Sequence, residues 1–227
     1  MGARAGRYAI PAAVQVTWSD PGARRGYHHG NLKEALVDAA LELIAAKGPA
    51  GFTVAEAARL ARVSPAAPYR HFRDADALLA EVAVRGFDRL TEAMALAWNR
   101  GQPRPVAAFE AVGRAYLGFA RTQPAYYAAM FDSRLAPEAH PDLAAAGERA
   151  FGVLRDAADV VSASSSREMR PPALMMALHM WTMVHGIASL FVRGGPSRRR
   201  LPMSAEELLE AGFLIYLQGL GLRGPAH

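Results

Sequence analysis

The chain has 227 residues, 52% of them apolar, which is enough for one large domain or two modest ones with a sizeable core. It has no cysteine, which excludes disulfides and thiolate chemistry, and no unbroken run of 18 apolar residues, so no membrane span is expected and the cytoplasm is the expected compartment. Net charge is +5, and all of the excess lies early: residues 1–73 carry ten Arg or Lys and five Asp or Glu, whereas residues 74–227 carry sixteen of each. Nucleic-acid binding predicts this asymmetry, because attraction to phosphate dominates affinity.

Residues 1–26 lack helical periodicity, and Pro11, Pro21 and several glycines mark them as a flexible basic arm. A first helix begins at Asn31, where Asn31 and Glu34 fit a capping box. Leu32, Ala35, Leu36, Ala39, Ala40, Leu43 and Ile44 line one face at helical spacing, until Gly48 and Pro49 stop the pattern. Thr53 and Glu56 make a second capping box and open a short helix. Val54, Ala57, Ala58 and Leu60 are expected to pack inward from it, with Ala61 and Val63 in the turn. Ser64 before Pro65 signals a third start, for a short helix ending in Tyr69, Arg70, His71 and Phe72. Further helical stretches are expected over 75–98, 105–122, 124–131, 138–162, 171–193 and 204–220, with Ser204 and Glu207 as a third capping box. No alternating strand segment or internal repeat occurs, so the fold class is all-α with about nine helices.

The segment TVAEAARLARVSPAAPYRHFR, residues 53–73, carries the chemistry. Helix, tight turn and short basic-aromatic helix, in that order, form a helix-turn-helix, a unit that places a helix end in a DNA groove. Thr53 at a helix start can meet a phosphate. Ser64, Pro65, Ala66 and Ala67 are placed toward base edges, where the alanines offer only methyl contact. Tyr69 and His71 can bond phosphate oxygens, and Arg70 can reach a phosphate or a guanine edge, while Phe72 serves as a core anchor. Arg24 and Arg25, just before the first helix, suit an arm reaching into a minor groove. Catalysis is not expected: there is no Gly-rich phosphate loop and no HExxH, and the seven histidines lack metal-like spacing, so neither cofactor nor metal is expected.

Residues 27–79 resemble the TetR family of bacterial one-component regulators. WTMVHG at 181–186, preceded by PAYYAAMFDS at 124–133, resembles the C-terminal domain type named for its Trp-His-Gly signature. The resemblance implies a DNA-binding domain at 27–74 and a ligand-binding and dimerisation domain at 75–227. It implies a homodimer whose last two helices pair with their mates, and a repressor that leaves a palindromic DNA operator when a small effector binds. The competing expectation is a small-molecule-binding helical protein with weakened or lost DNA binding. Three departures favour it. Arg62 stands where the family has a turn glycine, and a left-handed backbone there costs an arginine roughly 1 kcal/mol. Pro68 interrupts the recognition helix, which would then start late, with Pro68 in its first turn. Ala75, between Asp74 and Asp76, replaces a basic phosphate contact.

The effector end rests on residue type. Arg114, Tyr116, Tyr127, Met130, Met176, His179, Met180 and Met183 are candidates for lining a cavity, since thioethers suit adaptable pockets and such sites are mostly apolar with few polar anchors. The effector expected is apolar or amphipathic. Leu209, Phe213, Tyr216 and Leu217 are candidates for the dimer seam, because the last helix is too apolar for one buried stripe, and Trp181 and His185 are candidates for helix packing or the seam, because Gly186 permits close helix approach.

Overall fold

The computed structural model describes residues 32–164, 170–192 and 202–222. Asn31, Arg24, Arg25 and the rest of the arm lie outside the described residues, as do the arginines at 198–200. Eight α-helices run in order: α1 (Leu32–Lys47), α2 (Val54–Leu60), α3 (Ala75–Trp98), α4 (Pro105–Thr122), α5 (Pro124–Phe131), α6 (Pro141–Ala163), α7 (Ala173–Val192) and α8 (Ala205–Gly219). No strand occurs among the described residues. The short third helix expected from Ser64 to Phe72 is a single 3-10 turn, Pro68–Arg70, which leaves eight α-helices in place of nine.

Helix starts follow the capping signals. Thr53 accepts from the Glu56 N–H at 3.2 Å, and the Glu56 carboxylate accepts from the Thr53 N–H at 3.0 Å. Ser204 and Glu207 repeat this reciprocal pair at 3.1 and 2.7 Å. Asp74 caps α3 by accepting from Ala77 N–H at 2.8 Å, which suits the positive end of the helix dipole. Two starts moved: residues 137–139 form a separate 3-10 turn and α6 begins at Pro141, and α7 begins at Ala173 and not at 171, because the residue before a proline is pushed out of the α region.

The long α3 is the spine. It packs against α1, α4, α5 and α6, so it belongs to the DNA-binding end and to the larger helical body alike. Two glycines set close approaches. A Cβ on Gly86 would sit 2.7 Å from the Met130 sulfur, and one on Gly113 would lie within 3.3 Å of Met180, Leu209 and Val184. Those glycines let α5 close on α3, and α7 and α8 on α4. A shared ion-pair group ties α1 to α3: Arg85 grips the Glu34 carboxylate with both terminal nitrogens and donates to Glu81 at 2.9 Å, which Lys33 also meets at 2.9 Å. Hydrogen bonding from Arg85 holds the Glu34 carboxyl below its usual value, and that contact raises the Arg85 pKa in turn.

Candidate nucleic-acid interface and effector region

The DNA-facing candidates are displayed by an alternation of buried and exposed residues. Pro68 and Phe72 are buried, and the Phe72 N–H donates to the Pro68 carbonyl at 2.9 Å. Tyr69, Arg70 and His71, between those two anchors, are exposed, Tyr69 by 59%. A phenol this open, on a segment pinned at both ends, is not there for packing. Ser64, Pro65 and Ala66 are exposed beside them, whereas Ala67 is half-buried. Pro68 has no N–H to offer the Ser64 carbonyl, so Ala67 bonds it instead at 3.0 Å, and the chain makes a tight turn before the 3-10 turn begins. The helical register therefore starts late, as Pro68 predicts, and stops after one turn.

Arg62 has φ 59°, the left-handed conformation that glycine takes without penalty. Thr53 is exposed at the start of α2, but its hydroxyl is engaged with Glu56. Leu60, expected inside, is 41% exposed, while Val54, Ala57 and Ala58 are buried. Arg73 was not among the expected contacts. It is exposed two residues after His71 and pairs with Asp74 at 2.9 Å, so a basic side chain stands two residues before Ala75.

The effector candidates divide in two. Tyr116, Tyr127, Met130, Met176 and Met180 are buried in the larger body. Arg114 is not. It is exposed and pairs with Glu110 one turn back, with Glu210 of α8 at 3.9 Å, because a guanidinium stays where carboxylates and water can reach it. His179 is exposed too, with Nδ1 3.2 Å from the Tyr216 hydroxyl, and half-buried Met183 packs on Gly212 of α8. These three belong to the α4–α7–α8 surface and not to the interior.

The seam candidates need a parallel correction. Leu209, Phe213 and Leu217 are 0%, 2% and 3% exposed within the chain, so they are core. Tyr216 is half-buried against His179, their rings 5.3 Å apart. His185 turns inward, with Nδ1 2.9 Å from the Tyr116 hydroxyl and 3.1 Å from that of Tyr127. Phe131 closes this cluster, its ring 4.7 Å from His185 and 4.9 Å from Tyr127. Burial lowers the His185 pKa, while burial and then Tyr127 raise that of Tyr116, so the imidazole and the Tyr116 phenol are both neutral at neutral pH. Trp181 alone of the six is exposed, as are Leu174, Met175 and Leu178 of α7 and Leu214 and Ile215 of α8.

A helix-turn-helix head on a larger helical body matches two known patterns. Residues 36–82 match the family described as "Bacterial regulatory proteins, tetR family", and residues 109–214 match the "Tetracyclin repressor-like, C-terminal domain". The chain belongs to the TetR family. Among solved structures, a Rhodococcus sp. RHA1 protein of unknown function is 30% identical, with TM-score 0.72 over 86% of this chain and 98% of that one. AibR, solved with isovaleryl coenzyme A and operator DNA, is 20% identical with TM-score 0.59, covering 81% of this chain and 96% of that one. The HTH-type transcriptional regulator YobS of Bacillus subtilis is 32% identical over 102 residues. That match covers 44% of this chain and spans about half the length of YobS (51%).

Proposed function

We propose that this TetR-family chain is a ligand-responsive, DNA-binding transcriptional regulator that acts as a repressor and leaves a palindromic operator when an apolar or amphipathic effector binds. The observation that carries this reading is the exposed row Tyr69, Arg70 and His71, pinned between buried Pro68 and Phe72 just after the capped α2. Exposed Thr53, Ser64, Pro65, Ala66, Arg62 and Arg73 lie on the same stretch of chain and are assigned to the DNA side with them. Arg24 and Arg25 are assigned to a groove beside it.

A palindrome needs two heads, and the exposed apolar face of α7 and α8 is the surface assigned to a second copy of the chain. α7 supports this: 19 of its residues have mean hydropathy 1.4, yet only 33% of that stretch is buried within one chain. AibR, solved in complex with the thioester isovaleryl coenzyme A, gives a precedent of the amphipathic class for this fold.

A second reading, effector binding without DNA binding, is favoured by the single-turn recognition segment and by the left-handed Arg62. Footprinting of the DNA upstream of the chain's own gene separates the two. The regulator reading expects two protected half-sites whose centres are about 10 base pairs apart or a multiple of that. No protection at any protein concentration supports the second reading.

A further inference from the structure

The larger body holds one polar island that folding alone does not require. Tyr116 of α4 and Tyr127 of α5 are 2% and 1% exposed, and each could be phenylalanine at no loss of packing. Both direct a hydroxyl at a single point, the Nδ1 of half-buried His185, from 2.9 and 3.1 Å. As an acceptor, Nδ1 offers one in-plane lone pair to two phenols, whereas a carbonyl oxygen, with two lone pairs, accepts from both. Phe131 walls that point with an aromatic face.

Room lies beside the island, in a groove that its neighbours line and that Tyr116, Tyr127 and His185 do not. Between α4, the start of α5, the end of α7 and the start of α8 lies an open groove of about 460 Å³, within the range of small-molecule sites. Its inner wall includes Leu117, next to Tyr116, and Ala188, one helical turn beyond His185. Arg121 and Glu206 stand at its rim, paired at 2.7 Å. In the core of the same body two unbranched, flexible methionines are seated on glycines: Met130 on Gly86, and Met180 on Gly113 beside Leu209 and Val184. Such side chains re-pack around an incoming molecule more cheaply than branched ones do.

We infer that Tyr116 and Tyr127 hold the effector by one neutral oxygen acceptor, the carbonyl of an ester, lactone or thioester, which takes the place of His185 Nδ1 while an apolar chain lies in the groove along Leu117, Ala188 and Phe191. A carboxylate is disfavoured there, because Tyr116, Tyr127, His185 and Phe131 include no cation, and Arg121 at the groove's rim is already paired with Glu206. Burial, which keeps the imidazole uncharged, acts in the same direction. The inference rests on the effector-binding half of the proposed function and names the chemistry of that site.

The test uses methyl decanoate and decanoate as a matched pair of probes on the full chain. Binding is followed by quenching of tryptophan fluorescence and by the thermal unfolding midpoint, in wild type and in a Tyr116→Phe, Tyr127→Phe double variant whose probe-free midpoint shows that it folds. The expected result is binding of the ester at least tenfold tighter than the carboxylate, and a loss of roughly tenfold or more for the ester in the double variant. Equal binding of ester and carboxylate, ester binding unchanged in the double variant, or no binding of either probe overturns the inference. Failure of the regulator reading is a separate outcome: a chain that binds the ester through the two tyrosines but protects no DNA keeps this site and loses that reading.

Discussion

At the scale of single residues, two positions hold energy that can be measured. Arg62 occupies the left-handed region at φ 59° without the freedom of glycine. Replacing it removes steric strain at some cost in chain entropy, so Arg62→Gly is expected to stabilise the protein by about 0.5–1 kcal/mol, read as a rise in thermal midpoint of a few degrees. His185 has its pKa lowered by burial. The unfolded chain therefore takes up a proton that the native chain resists, and this histidine's contribution is complete above an unfolded value of about 6.5 and declines as pH falls through it. The unfolding midpoint is expected to drop between pH 7.5 and 5.5, and to drop less in His185→Gln. An equal drop in both would mean that other groups carry the dependence. Legibility at this scale depended on direction. Arg114 and Tyr116 are two positions apart on α4, hence on nearly opposite faces, so no single cavity could take both. That followed from helical geometry, whereas residue type had placed them together.

At the scale of elements, local signals were readable and mutual ones were not. Thr53 with Glu56 and Ser204 with Glu207 fix their helix starts through contacts three residues apart, and both capping boxes formed where the sequence placed them. Pro68 likewise announced a late start, though not that the helix would end after one turn. In α8 the sequence carries two apolar stripes, Leu209–Phe213–Leu217 and Leu214–Ile215, and periodicity alone cannot say which of them meets α4 and α7. The structure turns the first inward and leaves Ile215 71% exposed. Pairing of that face with a second copy predicts that Leu178→Asp with Ile215→Asp yields a folded monomer in sedimentation velocity, where wild type runs as a dimer. Both side chains are at least 40% exposed in the chain, so helix content by circular dichroism is expected to hold. A dimeric double variant would place the interface elsewhere.

At the scale of the molecule, α3 and α5 join the two ends. α3 carries Arg85, bound to Glu34 of α1, and Arg89, which lies 5.0 Å over the Tyr126 ring. Tyr126 and Tyr127 are neighbours on α5, and they face the Arg89 guanidinium and the His185 imidazole respectively. One turn of one helix thus touches the helix that carries the DNA-binding head and the polar island of the larger body. The fold class and the family were legible because a helix-turn-helix is a contiguous motif and because its charge is concentrated at one end of the chain. The island was not, because its three members are separated by up to 69 residues and only the packing of α4, α5 and α7 brings them together. The central claim is that exposed Tyr69 and Arg70 grip operator DNA. Fluorescence anisotropy on the footprinted site, in wild type and in a Tyr69→Ala, Arg70→Ala variant at one fixed salt concentration, tests it most directly. The account predicts a wild-type Kd on the order of 10 nM and a loss of at least tenfold in the variant; equal affinity of the two proteins for the operator would contradict it.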